Sequence, residues 1–390
     1  MKGQAASLEA QSSSLWTTGL ALFSMFFGAG NLIFPLLIGQ SVGENGWYAI
    51  SGLGITAVLV PFLGLAGMVL FDGDIHRFFG RLGKAPGWAL LLLLQLILGP
   101  FGVIPRLVTL MYAMAKPYLF QVSLPVFSVI CAAAIFLFSF QRQRLMRLLG
   151  GVLTPILLLS LTALLYFGLT EPSALNPVSP TASNSFFEGL LGGYNTMDLI
   201  AAFLFATVVL PHFKKEAISQ GRSVLQKILY SSLIAAGLLF LTYVGLATVS
   251  AMHGWSLESS IPHEELLAAI ATKLLGPTGA LLAAMAVITA CLTTAMTLSS
   301  IFADYLQKDL LKQKIGVTQA LALTLLITTL FANLGFSGIA AFLGPILQIC
   351  YPGLIVLTLF NILHHFYGVR TVKLPVFATF ACSAAFYLLS

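Results

Sequence analysis

The chain has 390 residues, 58% of them hydrophobic and 8% charged, with a mean hydropathy of +0.96. Soluble domains carry about 25% charged residues, so a water-soluble globular protein is excluded and a multi-pass membrane protein is expected. The net charge of +6 lies in short basic clusters between apolar runs rather than in one patch, which argues for membrane topology and against a nucleic-acid surface.

Taken in order, the chain opens with a polar segment, residues 1–14, whose one basic residue is Lys2. The first apolar run, Leu15 to Ile38, is too long for a signal-peptide core and is expected to stay as span 1. Its centre, Gly28-Ala29-Gly30-Asn31, is poor material for a continuous helix. Span 2 covers Trp47 to Phe71, with a kink expected at Pro61. Arg77, Arg81 and Lys84 make the next loop cytoplasmic by the positive-inside rule. Span 3, Gly87 to Ala115, is interrupted at Gly99-Pro100 and Pro105, and span 4 runs from Pro125 to Phe140. Arg142, Arg144 and Arg147 mark a second inner loop before span 5, Leu148 to Leu169.

The stretch from Glu171 to Ser185 has no Lys or Arg and is expected outside. Span 6, Phe186 to Leu210, carries a second interrupted centre at Gly192-Gly193-Tyr194-Asn195-Thr196, and Lys214, Lys215, Arg222 and Lys227 follow it inside. Span 7 runs from Ile228 to Met252. A long outer loop with an amphipathic helix over Leu266 to Leu275 leads to span 8, Thr278 to Ala303. Lys308, Lys312 and Lys314 precede span 9, Val317 to Leu334. Reading 336–364 as one kinked span 10 puts Arg370 and Lys373 inside with the other basic loops. Span 11 runs from Leu374 to the C-terminus.

The two spans with interrupted centres that carry an asparagine, numbers one and six, are an odd interval apart, so the second set of five enters the membrane from the opposite side. That is the pattern of an inverted repeat with two discontinuous helices meeting at the midplane. The expected fold is therefore all-α: a 5+5 inverted repeat, 15–169 and 186–364, with a further helix over 374–390, all in one transmembrane domain, 15–390. Residues 1–14 are expected to be cytoplasmic. The four cysteines, Cys131, Cys291, Cys350 and Cys382, lie inside apolar runs without disulfide or metal spacing and read as small core residues.

Four strings carry a resemblance: Phe23-Ser24-Met25-Phe26-Phe27-Gly28-Ala29-Gly30-Asn31-Leu32-Ile33-Phe34-Pro35, Gly99-Pro100-Phe101-Gly102-Val103-Ile104-Pro105-Arg106, Gly193-Tyr194-Asn195-Thr196-Met197-Asp198 and Ala290-Cys291-Leu292-Thr293-Thr294-Ala295. In this order they resemble the BrnQ family of bacterial branched-chain amino acid:cation symporters, whose fold is of the leucine transporter LeuT type. The resemblance implies twelve spans, so a chain with eleven is expected to lack the last. It also implies uptake of leucine, isoleucine or valine across the bacterial cytoplasmic membrane, driven by entry of sodium or of protons.

Site residues follow from the broken helices and from the resemblance together. Free N–H groups at the start of the second half of span 1 suit a carboxylate. Gly28, Ala29, Gly30 and Asn31, with Gly193, Tyr194, Asn195 and Thr196, are the expected substrate contacts. Ala290, Thr293 and Thr294 share one face of span 8, and their oxygens suit a hard cation. Threonines in apolar helices also back-bond to the preceding turn, which needs no ion. The resemblance adds the backbone of Ser24 and Phe27 to the cation set.

Arg106 and Asp198 fall at membrane depth, where ionisable groups are costly and commonly functional. Gating and purely structural roles are both open to them, including snorkelling of Arg106 to an interface. No catalytic set is present, since a nucleophile with its base, or a pair of carboxylates at depth, is lacking. The expected partners are an amino acid, a coupling cation and the lipid bilayer, with no cofactor. A channel, a membrane-embedded enzyme and a carrier of another small apolar solute are the competing readings.

Overall fold

The computed structural model describes residues 15–139, 158–171, 173–177, 180–219, 224–257 and 261–389. Arg142, Arg144, Arg147, Arg222 and the segment 1–14 lie outside the described residues. Each of the eleven expected spans has a helical counterpart. Span 1 is two helices, α1 (Leu15–Phe26) and α2 (Ala29–Ser41), bent by 70° at the break. Span 2 comprises α3 (Gly46–Gly54), a π-helical turn (Ile55–Leu59) and α4 (Val60–Leu70). The irregularity expected at Pro61 thus appears just before it. Pro61 is the second residue of α4 and has no N–H to give the preceding turn, and the wider π-helical turn is where the continuous helix accommodates it.

A short α5 (Ile75–Gly80) leads to span 3, which breaks at the expected Gly99-Pro100 between α6 (Lys84–Leu98) and α7 (Val103–Ala115). Then come α8 (Leu124–Ser139) and α9 (Leu158–Thr170). Span 6 is α10 (Ala182–Thr196) and α11 (Asp198–Ser219), and span 7 is α12 (Val224–His253). The amphipathic helix and span 8 are joined as α13 (Leu266–Tyr305), with Gly276 at φ 66° separating them. The last spans are α14 (Val317–Ala332), α15 (Gly335–Tyr367), continuous through Pro345 and Pro352, and α16 (Lys373–Leu389).

Among the described residues six helical stretches are long and apolar enough to cross a membrane, and the bent α1–α2 pair adds a seventh. The remaining apolar helices α8, α9, α14 and α16 are shorter.

The packing has the symmetry of the expected repeat. Adding five to each span number exchanges one against seven with six against two, and both pairs pack extensively: α1 and α2 against α12, α10 and α11 against α3 and α4. Spans 3 and 8 pack together through α7 and α13, and spans 4 and 9 through α8 and α14. Each of these pairs maps onto itself under the same exchange.

Loop contacts sort into two faces. On one, Asn45 donates to the Pro180 carbonyl, Asn176 to that of Gln40 at 2.7 Å, and Lys116 pairs with Glu265. On the other, His76 lies 3.8 Å from Asp309, and Arg81 donates to the Val369 carbonyl at 3.0 Å and that of Arg370 at 3.3 Å. Reading 336–364 as one span placed Arg370 beside the basic 2–3 loop, and these bonds join the two.

Candidate functional site

At the first break the helix stops because one bond changes partner. Phe27 N–H still reaches the Phe23 carbonyl at 2.9 Å, but the next N–H, of Gly28, turns to Asn31 Oδ1 at 3.0 Å. The Ser24 carbonyl thereby loses the donor that would continue α1. Helix α2 starts at Ala29, so Ala29 and Gly30 have N–H groups with no acceptor inside the helix. Residue 28 is extended, at φ −119°.

The second break falls at Met197, which is left-handed at φ 62° and nearly buried. It was expected at 192–196, where the glycines are, but those residues are helical. Gly193 and Gly189 serve a different purpose. A Cβ on Gly193 would collide with the Thr56 hydroxyl, and one on Gly189 with the Ala49 carbonyl, so they let α10 lie against span 2. A methionine at positive φ carries no sequence signal comparable to glycine, which is why the break was misplaced.

Asn31 ties the breaks together. Its Nδ2 donates to Asp198 Oδ2 at 2.7 Å and to the Tyr243 hydroxyl, and Tyr243 in turn donates to Asp198 Oδ2 at 3.3 Å. All three residues are buried. Tyr351 adds a donor–acceptor link by receiving the Leu199 N–H at 3.3 Å, and its ring lies 4.7 Å from that of Tyr194. Tyr243 and Tyr351 were not singled out from the sequence. Their signal was a lone phenol inside an otherwise apolar run, which rarely goes unpartnered when buried.

A narrow cavity lies between the breaks. Its apolar wall is Met25, Phe26, Leu98, Val103, Met197, Ala201, Phe205 and Leu298; its polar groups come from Gly28, Ala29, Gly30, Asn31, Arg106, Thr196, Asp198 and Thr294. Gly193, Tyr194 and Asn195 are not in the lining. Tyr194 faces Tyr351, the Asn195 amide donates to the Leu191 carbonyl at 3.1 Å, and the Asn195 carbonyl accepts from Arg106 Nη1 at 2.8 Å. Gly30 borders the cavity but also abuts span 6, since a Cβ there would stand 3.0 Å from Thr196 Cα. Arg106 does not reach an interface: it is 1% exposed.

A smaller cavity is lined by Phe27, Gly28, Leu32, Leu107, Ala290, Cys291 and Thr294. It shares Gly28 and Thr294 with the larger one. Three of the five residues expected around the cation are therefore together, Phe27, Ala290 and Thr294. Ser24 and Thr293 line neither cavity, and Ser24 is exposed. Both threonine hydroxyls donate to the Ala290 carbonyl, Thr293 at 2.8 Å and Thr294 at 3.0 Å. That is the back-bonding alternative in geometry, yet a hydroxyl that donates its proton keeps lone pairs to offer an ion.

Over residues 11–388 the sequence matches a family described as Branched-chain amino acid transport protein. The chain belongs to this family. Among relatives, the branched-chain amino acid permease BrnQ of Bacillus subtilis (strain 168) is 31% identical over 365 residues, covering 90% of this chain and 82% of the relative. The permease BraB of the same strain is also 31% identical, over 90% of this chain and 80% of the relative. BrnQ of Lactobacillus delbrueckii subsp. lactis is 30% identical over 94% and 85%.

A structure of Mhp1 in its inward-facing conformation superimposes with a TM-score of 0.62 at 13% identity, covering 96% of this chain and 88% of that one. A sodium-coupled sialic acid symporter in an outward-open state gives 0.53 at 11% identity, over 96% and 89%. At these identities the likeness shows the fold, and it is the all-helical transporter fold expected from the two broken spans. As a member of the branched-chain amino acid transport family this chain is a multi-pass membrane transporter, and its named relatives are permeases rather than enzymes.

Proposed function

We propose that the protein is a secondary symporter that imports leucine, isoleucine and valine across the bacterial cytoplasmic membrane, coupled to entry of a cation, with residues 1–14 inside. One observation carries the reading: a cavity at the meeting of two helix breaks is lined both by aliphatic and aromatic side chains and by polar groups. A branched aliphatic side chain fits the first, and a charged backbone group fits the second. Relatives at about 30% identity that are named branched-chain amino acid permeases support the substrate class. In this reading Ala29, Gly30 and Thr196 contact the substrate directly, while Asn31 holds the breaks in register. Sodium is favoured over the proton as the driving ion. Phe27, Ala290 and Thr294 border the smaller cavity and offer neutral carbonyl and hydroxyl oxygens, the donor type that a hard cation prefers.

Uptake of labelled leucine into proteoliposomes tests the proposal. An inward sodium gradient is expected to drive accumulation that saturates with leucine, while a proton gradient alone drives none. Accumulation with the proton gradient alone would replace the ion, and flux that never exceeds equilibrium under either gradient would replace the symporter with a channel or facilitator.

A further inference from the structure

Arg106 and Asp198 line the same cavity, and neither finds an opposite charge among the described residues. Arg106 is 1% exposed. Its guanidinium is held 5.4 Å from the Phe34 ring centroid and 5.3 Å from that of Phe336, and Nη1 donates to the Asn195 carbonyl at 2.8 Å. Nε and Nη2 have no hydrogen-bond partner among the described residues. Asp198 is 3% exposed, and the side-chain donors on its Oδ2, Asn31 and Tyr243, are neutral.

We propose that these two residues hold the charged ends of the substrate: Arg106 takes the α-carboxylate on Nε and Nη2, and Asp198 takes the α-ammonium. The inference rests on the amino-acid reading of the cavity given above and adds the groups that recognise its zwitterion. A buried charge with no counter-charge beside it is costly. Two such charges of opposite sign, in one cavity but not bridged to each other, are best satisfied by a ligand carrying both signs. A simple cation or an uncharged apolar solute would satisfy one of them at most. The adjacent Nε and Nη2 donors form the planar fork that matches a carboxylate, and the open N–H groups at the start of α2 border the same cavity. The bond to Asn195 then has a second use, since it aims the fork while tethering it to the end of α10.

The competing view is that Arg106 only ties α7 to α10. Binding to the purified full chain separates the two, with leucine compared against leucinol, which keeps the ammonium but lacks the carboxylate, and against 4-methylpentanoate, which keeps only the carboxylate. The wild-type protein is expected to prefer leucine over leucinol by about a hundredfold, the scale of a buried charged contact. Arg106→Gln should reduce that preference to within about threefold. Asp198→Asn should weaken leucine and leucinol together and leave 4-methylpentanoate unchanged.

A preference for leucine that survives in Arg106→Gln, with both ligands weakened alike, would overturn the assignment in favour of a structural tie. So would a wild-type protein that binds the two ligands equally. If Arg106→Gln does not yield folded protein, Arg106→Lys keeps the charge without the fork and should lower the preference about tenfold; an undiminished preference there overturns the assignment as well. A wild-type protein that binds no branched-chain amino acid overturns the transport proposal itself, whereas leucine binding with an unmoved preference overturns only this inference.

Discussion

Thr293 and Thr294 make the same bond to the Ala290 carbonyl, yet only Thr294 borders the two cavities. If the smaller cavity holds the coupling ion, replacing the two hydroxyls should have unequal effects. Valine preserves the β-branched shape and helical rotamer of threonine. Thr294→Val is expected to raise the sodium concentration for half-maximal uptake about fivefold or more, while Thr293→Val moves it less than about twofold. By reciprocal linkage, leucine affinity in Thr294→Val should fall at low sodium and recover at high sodium. Equal, small shifts in both variants would leave the hydroxyls as back-bonding groups only.

Arg81 makes a different point about single residues. From the sequence it is one positive charge in an inner loop. In the fold its guanidinium donates to the Phe360 carbonyl at 3.1 Å, to Asn361 Oδ1 at 2.9 Å and to the Val369 carbonyl at 3.0 Å, tying the C-terminal part of α15 to the segment that follows it. Arg81→Lys keeps the charge that sets topology and loses the fork. Insertion should be unchanged, with thermal stability in detergent lowered by about 1–2 kcal/mol.

At the scale of elements, the seam between span 2 and α10 shows why small residues sit where they do. Without a hydrophobic drive between helices in lipid, association depends on close packing and interhelical hydrogen bonds. Thr56 supplies both, donating to the Leu190 carbonyl at 2.9 Å and to the Gly52 carbonyl at 3.1 Å, within the π-helical turn. A methyl group on Gly193 would meet the Thr56 hydroxyl, with Thr56 Cβ next at 2.9 Å. Gly193→Ala alone should therefore destabilise strongly. Thr56→Ala alone should cost about 1 kcal/mol for the lost bond. Combined, they should destabilise less than the sum, with a coupling of about 1 kcal/mol or more in a double-mutant cycle read by thermal unfolding. Strict additivity would mean that the seam relaxes around the methyl group without using the space left by the hydroxyl.

For the whole molecule, the two faces defined by loop contacts predict a labelling pattern. Cys131, Cys291 and Cys350 are buried and Cys382 is exposed, so Cys382→Ser provides the background. In it, Glu44→Cys should react with an impermeant reagent from one side of the membrane, and Arg77→Cys and Lys312→Cys from the other. Labelling of Glu44→Cys and Arg77→Cys from the same side would contradict the odd interval between the broken spans, and with it the inverted repeat.

The sequence by itself determined the class of protein, the helical counterpart of every expected span, the breaks in spans 1 and 3, and the placing of Arg370 on the same face as the basic loop that holds Arg81. These are local quantities: the length of an apolar run, a Gly-Ala-Gly-Asn or Gly-Pro in its middle, a count of Lys and Arg beside it. Only the tertiary structure decided that the span 6 break lies at Met197, that Gly189 and Gly193 are packing residues, and that Arg106 is buried at the cavity rather than snorkelling. It alone brought Asn31 against Asp198 and Tyr243, partners 167 and 212 residues away. Which polar groups of distant spans face one another depends on how each helix is rotated about its axis, and in spans apolar on nearly every face hydropathy carries little record of that rotation.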